Sequence, residues 1–485
     1  MKFLGITLYW TTLLIVTLAI PAQADEVDAY IKQEMEQQHI PAISLCVVRD
    51  SRIIKDQTYG IANVELNVPA TADTEFAIAS MTKSVTASAI MLLVQDGKIN
   101  LDDPITKFFD GLPESWQGIT VRHLLSHTSG IKDHFHDYPF FPIANVNRKL
   151  EYNDADYLKA LVDSGLNFKP GTQWAYSSAG FHLLGMIIQK ITGKPYADFF
   201  RERIFAPLGM TRTHVISLGE IIPNRAAGYR WLNGEQRNGD YTGQTISGGA
   251  DVSLLTTASD LAKWHIALSS EGLWKKSSLE QMWTPAVLAD KSGAAVFPAG
   301  ESGLGWGLLL TNGYLRIAHG GSFTTGFSSF MARVPEKRLI VIILTNQHSA
   351  NPVRIGFGVL GLHDAELIPP HRLKPQPDSQ PELTAKVKSF LNALFSGGAS
   401  GDPAQFVTLG LAHHLPLVPK APAGQSAPLS ELSSIASTDI TQRKAERYGT
   451  KLARMSHYKA LLAGDARYFT VYFTGDGHIA DYSGY

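Results

Sequence analysis

The sequence is nearly without cysteine. Among its 485 residues Cys46 is the single cysteine, so no disulfide can form within the chain. Cys46 lies in the apolar run 43–48, which predicts a small buried side chain rather than a reactive thiol. A chain with so little cysteine, if exported, fits a bacterial periplasm better than a disulfide-stabilised extracellular scaffold.

An excess of charge of either sign is also missing. The chain has 43 Lys and Arg residues against 44 Asp and Glu residues, and no basic stripe or acidic tail interrupts this balance. A nucleic-acid partner is therefore not expected, because such partners require a concentrated positive surface.

Long hydrophobic runs are absent after the first twenty residues. The segment Phe3 to Ile20 is apolar, follows Met1-Lys2 and precedes Pro21-Ala22-Gln23-Ala24. This pattern predicts a secretory signal peptide over residues 1–24, with an uncleaved membrane anchor as the alternative. We therefore expect a periplasmic or secreted chain with no stable membrane insertion after signal cleavage.

Strand patterns occur near both ends of the first 368 residues, with helical patterns between them. Strands are predicted at 42–48, 52–59, 305–310, 315–318, 327–334 and 339–345, and helices at 27–38, 80–96, 155–163, 180–191, 196–204 and 259–268. We expect an α+β fold in which the N-terminal hairpin joins the late strands in one antiparallel sheet, flanked by terminal helices and a helical lobe. This domain would span residues 25–368, followed by a proline-rich linker at 369–381 and a small α+β unit of unknown function at 382–485.

The stretch Ala79-Ser80-Met81-Thr82-Lys83 opens the longest of these helices. Residues three positions apart share a helix face, so the Ser80 hydroxyl and the Lys83 amine are expected within hydrogen-bonding reach. Burial of the amine would lower its pKa and let it accept the serine proton. Taken alone, this pattern favours a helix-capping serine followed by a lysine that extends to solvent.

Three further stretches separate these alternatives. They are His123-Leu-Leu-Ser-His127-Thr-Ser-Gly130-Ile131, the segment Lys169-Pro-Gly-Thr-Gln-Trp-Ala-Tyr176-Ser-Ser178, and His319-Gly-Gly-Ser322 at a strand end. With these three stretches taken together, the sequence of residues 27–359 resembles those of the serine β-lactamase and penicillin-binding protein superfamily. The resemblance is to the branch of class C β-lactamases, D-alanyl-D-alanine carboxypeptidases and esterases, and Ser-x-x-Lys is a motif of such enzymes.

The resemblance implies a role for each matching residue. Ser80 would be the nucleophile, and Lys83 and Tyr176 would share its proton, with either of them as the working base. The backbone N–H groups of Ser80 and Ser322 would form the oxyanion hole. The substrate-binding residues implied are Ser178, His319, Gly320 and Gly321.

Two positions depart from the family pattern. Ser178 stands where the family usually has asparagine, and a serine offers fewer hydrogen bonds to a substrate amide. His319 replaces a lysine that usually helps to hold a substrate carboxylate, and histidine is mostly neutral at pH 7. Both changes count against hydrolysis of β-lactams.

Several histidines near residue 130 are candidate metal ligands, and His134-x-His136 between Asp133 and Asp137 has the spacing of a short chelate. The resemblance implies instead a structural role for residues 127–130 under a substrate cleft between the sheet and the helical lobe, and places the 133–138 loop at the mouth of that cleft. No metal is therefore predicted. His413-His414 has no suitable partners nearby and predicts none either.

These observations predict a cofactor-independent serine hydrolase that acts through an acyl-enzyme. Its substrates would be small molecules, peptides or peptidoglycan fragments with an ester or amide bond, as for an esterase or a D-amino-acid peptidase or carboxypeptidase. The alternatives are a slow-acylating or non-hydrolytic cell-wall sensor that resembles penicillin-binding proteins, and a membrane-anchored scaffold that works through its C-terminal unit.

Overall fold

The structure is a computed structural model that describes residues 26–135, 143–291, 300–395, 401–412, 429–440, 446–447, 450–462 and 465–484. The signal peptide predicted at residues 1–24 lies outside these ranges, as do His136, Asp137, His413 and His414. None of the helices among the described residues has the length and hydrophobicity needed to cross a membrane.

The helices and strands are numbered here in chain order. The α-helices are α1 Glu26–Gln37, α2 Thr82–Gln95, α3 Val121–Leu125, α4 Asp154–Ser164, α5 Ser178–Thr192, α6 Tyr196–Phe200, α7 Gln244–Ser247, α8 Ala258–Ala267, α9 Lys276–Met282, α10 Pro352–His363, α11 Pro381–Phe395 and α12 Leu409–Ala412. The strands are β1 Ala42–Arg49, β2 Arg52–Asn63, β3 Val68–Pro69, β4 Phe76–Ala77, β5 His214–Val215, β6 Tyr229–Leu232, β7 Glu235–Asn238, β8 Leu254–Thr256, β9 Glu301–Ser302, β10 Gly307–Thr311, β11 Tyr314–Phe323, β12 Phe327–Val334, β13 Leu339–Thr345, β14 Leu429–Asp439, β15 Glu446–Arg447, β16 Thr450–Lys451, β17 Arg454–Leu462, β18 Asp465–Phe473 and β19 Ile479–Gly484.

The central sheet confirms the predicted joining of the two ends of the domain. Its order is β3-β2-β1-β13-β12-β11-β10-β9, and its neighbouring strands are antiparallel. Every residue of β13 is buried, as expected for a continuous Leu, Ile and Val run in the middle of a sheet that is covered on both faces. The register sets Cys46 against Ile342, and Cys46 is buried and free.

Two hydrophobic layers cover the sheet. On one face α1 and α10 pack against alternate residues of β1, β12 and β13, such as Leu45, Phe330 and Val341. On the other face lies the larger core, which contains α2, α5 and α8 and the intervening strand residues such as Cys46, Met331 and Ile342. The period-2 alternation of strand side chains produces this division.

Helix α2 lies in the middle of the larger core. Every residue from Thr82 to Leu93 is buried, including several with polar side chains. The hydroxyl groups of Ser84, Thr86 and Ser88 donate to carbonyl oxygens, for example Ser84 Oγ to Gly305 O at 2.7 Å. A residue at the start of α2 is therefore held by packing on every side.

The structure corrects two details of the sequence-based prediction. His319 to Ser322 lies inside β11, which continues to Phe323, and not at the end of a strand that stops near residue 318. Short strands also occur within the helical part of the chain, as the sheet β4-β8-β5 and the hairpin β6-β7. They are too short to show a strand periodicity in sequence.

The C-terminal unit has its own core. Helix α11 packs against the four-stranded antiparallel sheet β14-β17-β18-β19. Strands β18 and β19 form an antiparallel hairpin on either side of Gly475. A second small cluster joins this unit to the large domain, because Leu310 of β10 packs with Met455, Tyr472 and Ala480.

Candidate active site

Ser80 lies in a turn of 3-10 helix, Ala79–Met81, directly before α2. Ala79 has a φ angle of 49°, a left-handed conformation that L-residues seldom adopt and that is often found at functional sites. Neither this turn nor α2 has a side-chain cap, so the serine hydroxyl is not used to cap the helix. Ser80 is 7% exposed and remains accessible.

The Lys83 amine contacts the serine hydroxyl. Its Nζ donates to Ser80 Oγ at 3.1 Å and to the backbone oxygen of Asp251 at 2.9 Å. The side chain is 0% exposed, and burial lowers the pKa of Lys83 to about 8, although the nearby carboxylates of Asp251 and Asp133 act in the opposite direction. At pH 7 roughly a tenth of the amine is therefore unprotonated and able to accept a proton, far more than for an exposed lysine.

Tyr176 lies on the other side of the lysine. The Lys83 Nζ is 4.9 Å from the centre of the Tyr176 ring. The ring is stacked on His127 with 4.4 Å between the ring centres, and it lies 6.4 Å from the His319 ring. The structure thus brings Ser80 and Lys83, from one short segment, together with Tyr176 from a distant part of the chain.

His127 supports the segment that carries Tyr176. Its Nδ1 accepts the backbone N–H of Ser177 at 3.1 Å, and its carbonyl oxygen accepts the N–H of Ala175 at 3.0 Å. Burial, together with the charge of Lys83, keeps the pKa of His127 well below its usual value, so this imidazole is neutral. The His127 to Gly130 motif therefore has the structural role beneath the cleft that the resemblance implied.

Strand β11 forms the wall next to Ser80. A Cβ atom added at Gly321 would lie 2.2 Å from Ile78 O and 3.1 Å from Ser80 N, so only glycine permits this approach. Ser322 follows on the same strand and its side chain is exposed. The proximity of Ser80 N to β11 fits the predicted oxyanion hole of the Ser80 and Ser322 N–H groups, which stays a prediction.

His319 is not a positively charged anchor. Its Nδ1 donates to the carbonyl oxygen of Gly320 at 2.6 Å. Burial and the adjacent Lys83 charge lower the pKa of His319 to about 4, so the ring is neutral at pH 7 and leaves Nε2 as an acceptor. A substrate carboxylate gains no ion pair from this side chain.

Ser178 begins helix α5 and is 0% exposed. Its N–H donates to Asp133 Oδ1 at 2.9 Å, while its Oγ has no hydrogen-bond partner among the described residues. An asparagine at this position would carry its polar amide further from the backbone than serine carries its hydroxyl. The assignment of Ser178 to substrate binding stays a prediction.

Sequence reasoning missed the importance of Asp251. The sequence shows Gly248-Gly249-Ala250 before it, but nothing in that pattern indicates a buried carboxylate beside the lysine. His134, weighed earlier as a metal ligand, is part of the same cluster, because its Nε2 lies 3.4 Å from Asp251 Oδ2. Among the described residues, no group of three or more His, Cys, Asp or Glu side chains is arranged to hold a metal ion.

Comparison with known proteins agrees with this geometry. The Beta-lactamase family model matches residues 27–356. The chain is 30% identical over 360 residues to Penicillin-binding protein 4* of Bacillus subtilis, covering 71% of this chain and 75% of that protein. It is 28% identical over 328 residues to Protein flp of Staphylococcus aureus, covering 67% of this chain and 63% of the relative's length.

Two solved structures share the fold. An octameric penicillin-binding protein homologue from Pyrococcus abyssi superposes with a TM-score of 0.59 at 21% identity, over 94% of each chain. A penicillin-binding protein from Bacillus halodurans gives a TM-score of 0.59 at 24% identity, over 70% of this chain and 100% of that one. The chain therefore belongs to the Beta-lactamase family, within the serine β-lactamase and penicillin-binding protein superfamily that its motifs predicted, and its function is of the serine hydrolase type.

Proposed function

We propose that the protein hydrolyses carboxylic esters through an acyl-enzyme on Ser80. The Ser80 oxygen attacks the ester carbonyl, and its proton passes to Lys83 or Tyr176. Collapse of the tetrahedral intermediate expels the alcohol, which takes up that proton. Water then attacks the acyl-serine, releases the carboxylic acid and restores the serine.

One observation carries this proposal. The Lys83 amine is fully buried, has a pKa lowered to about 8 and lies 3.1 Å from Ser80 Oγ. A serine hydroxyl with a free pKa far above 7 needs such a partner to become nucleophilic. A lysine that merely extends to solvent would be exposed and fully protonated.

The surroundings favour esters over substrates with a carboxylate near the reacting bond. A β-lactam or a peptide C-terminus presents a carboxylate that the family's lysine would hold, but His319 is neutral here. Ser178 is buried and short where the family's asparagine would meet a substrate amide. An ester requires neither interaction.

A cavity beside β11 offers room for one part of the substrate. It has a volume of about 270 Å³, and its lining includes Ala77 and Phe323, which are close in sequence to Ser80 and Ser322. The lining combines apolar side chains such as Ile216 and Phe327 with the charged Arg225 and Asp240. A substrate part with both apolar and polar groups fits this lining.

The test is turnover of p-nitrophenyl esters by the wild type and by Ser80→Ala. We expect turnover by the wild type and a loss of at least about a thousandfold in the variant, because the nucleophile is removed. Mass spectrometry after fluorophosphonate treatment should locate the label on the peptide that contains Ser80.

A fluorescent penicillin provides the comparison that the relative's name, Penicillin-binding protein 4*, suggests. Ester turnover without a penicillin adduct would support the esterase. A stable penicillin adduct on Ser80 with no ester turnover would instead favour the penicillin-binding-like sensor. Label on a peptide without Ser80 would refute the proposal.

A further inference from the structure

Several ionisable side chains lie beside Lys83 without any part in the reaction described above. Asp133, His134 and Asp251 are buried, and His182 is partly buried next to them. Asp133 Oδ2 has no hydrogen-bond partner among the described residues. The Asp251 oxygens face nitrogens of His134 and His182 at 3.4 and 3.6 Å, which are ion-pair distances longer than an ordinary hydrogen bond. Buried ionisable groups held by such long contacts call for a functional explanation.

Helix α2 holds the backbone around Asp251 in place. Lys83 Nζ donates to Asp251 O at 2.9 Å, and Thr86 Oγ1 donates to Ala250 O at 2.5 Å. Thr82 Oγ1 accepts the N–H of Leu254 at 3.2 Å. Because the same face of α2 carries Lys83 and these two threonines, Asp251 has a fixed position relative to the amine.

The Asp251 carboxylate lies between two imidazole rings. Its Oδ2 is 3.4 Å from His134 Nε2, and its Oδ1 is 3.6 Å from His182 Nδ1. His134 Nδ1 is 2.7 Å from the Tyr157 hydroxyl, so the imidazole can accept from the tyrosine and direct its Nε2–H at the carboxylate. A Cβ atom at Gly249 would lie 2.4 Å from Asp251 Oδ1 and 2.5 Å from His182 Nδ1, which shows how closely this arrangement is packed.

These neighbours keep the carboxylate ionised. Burial by itself disfavours the charged form of Asp251, but His134, His182 and the Lys83 charge together hold its pKa well below the usual value. The resulting negative charge acts back on Lys83. Burial lowers the pKa of the lysine, and Asp251 and Asp133 limit that decrease to a value of about 8.

The other groups that face the lysine carry no compensating negative charge at neutral pH. His127 and His319 have lowered pKa values and are neutral. The Tyr176 ring lies 4.9 Å from Nζ and the Phe181 ring 5.9 Å from it. Asp251 and Asp133 are therefore the anionic side chains among the described residues that act on this amine.

We propose that Asp251, together with Asp133, is the buried counter-charge that sets the proton affinity of Lys83 and hence the pH range in which Ser80 is reactive. Asp251 is a positioning residue that acts through Lys83 and does not touch the substrate. The inference rests on the proposed function, in which Ser80 is the nucleophile. It predicts that removing the negative charge changes the pH dependence of the reaction, and not merely its rate.

The experiment measures the second-order rate of fluorophosphonate labelling of Ser80 between pH 5 and 10. The labelling rate of the wild type should change with pH around the pKa of Lys83. In Asp251→Asn the ammonium loses its counter-charge, so the midpoint should move to lower pH by about one unit, the usual effect of one nearby opposite charge. If Lys83 takes the serine proton, labelling rises as the amine loses its own proton; if Tyr176 takes it beside a charged Lys83, labelling falls as the amine loses its proton. In both schemes the pH at which Lys83 titrates should be lower in Asp251→Asn, because the carboxylate raises that pKa.

Asp133→Asn provides a second variant, with a shift expected in the same direction, and it carries the test if Asp251→Asn does not fold. The matched control is Asp260→Asn, since Asp260 is also buried but pairs with Lys263 at 2.7 Å on α8. This control should leave the midpoint unchanged even if it lowers thermal stability.

The possible outcomes separate the two proposals. A folded Asp251→Asn protein whose midpoint equals that of the wild type would overturn the inference, as would an equal shift in Asp260→Asn. Wild-type protein that fails to label at Ser80 would overturn the proposed function instead. A midpoint shift confined to the Asp251 and Asp133 variants would establish the counter-charge.

Discussion

The chemistry of this site depends on a lysine that water does not reach. An ammonium group buried without compensation costs several kcal/mol, and proteins reduce this cost by releasing the proton or by supplying an opposite charge. Both responses are present here, because burial lowers the pKa of Lys83 while Asp251 and Asp133 raise it. The outcome is an amine that titrates close to neutral pH beside a serine hydroxyl.

Replacing Lys83 by methionine tests this role directly. Methionine fills a similar volume with an apolar chain, so the protein should fold. Esterase activity should fall by at least about a hundredfold, a typical contribution of general base catalysis. The titration of the labelling rate in the region of the Lys83 pKa should disappear as well.

The control for this variant is Lys190→Met, which changes an exposed lysine on α5. Its kcat/KM and pH profile should match those of the wild type. If Lys83→Met retained the titration, the group that controls the pH dependence would have to be another side chain, and the assignment of Lys83 would be wrong.

At the scale of the elements, the site forms where one helix meets one strand. The 3-10 turn presents Ser80 and α2 presents Lys83, and β11 passes so close to this turn that a side chain at position 321 has no room. This close approach requires glycine at position 321. The position of β11 is in turn fixed by its register with β12, where Gly321 lies opposite Ser329.

Gly321→Ala should therefore separate the strand from the turn. The new methyl group would lie 2.2 Å from Ile78 O and 2.5 Å from Ser329 Oγ, so the backbone must move. We expect at least a tenfold loss in kcat, since a displaced oxyanion-hole donor typically costs that much or more. Steady-state ester kinetics together with a thermal melt would measure both effects.

Gly320→Ala is the matched comparison for this variant. Its Cβ atom would meet only Ser329 O, at 3.7 Å, which is an ordinary contact distance. The loss of kcat should therefore be clearly smaller than at position 321. Equal losses in the two variants would mean that the close approach at Gly321 does not determine the geometry of the site.

The sequence allowed the main elements and the proximity of Ser80, Lys83 and Tyr176 to be predicted, while their catalytic roles stay a prediction. The run 339–345 predicted a buried strand, and it became β13 with every residue buried. Ser80, Lys83 and Tyr176 were predicted from motifs that the chain shares with its family. The burial of Asp251, by contrast, depends on the packing of segments 133–134, 182 and 249–251 around α2, which no local pattern reports.

Strand β14 was missed for a similar reason. The segment Leu429–Asp439 is rich in serine and has a mixed burial pattern, so its alternation of polar and apolar residues is weak. It is a strand because it pairs with β17 along most of its length. Such tertiary pairing overrides weak local preferences.

At the scale of the whole molecule, the site and the C-terminal unit are separate. The site residues lie between Ser80 and Ser322, whereas the C-terminal unit contacts the large domain through Leu310 and a cluster that includes Met455 and Tyr472. The segment that connects the two is exposed from Lys374 to Ser379. The contact at Leu310 is small and apolar, and it is expected to be weaker than either core.

Met455→Asp should loosen this contact without affecting the site. Met455 is 7% exposed in the cluster with Leu310, and a carboxylate placed there has no partner to offset its lost hydration. We expect faster cleavage by a nonspecific protease between residues 373 and 380, measured by limited proteolysis. The rate of fluorophosphonate labelling at Ser80 should stay within about twofold of the wild type, because distant sites act independently. The control variant Met455→Leu keeps the apolar volume and should be cleaved at the wild-type rate. A large loss of labelling in a folded Met455→Asp protein would show that the C-terminal unit contributes to the active site.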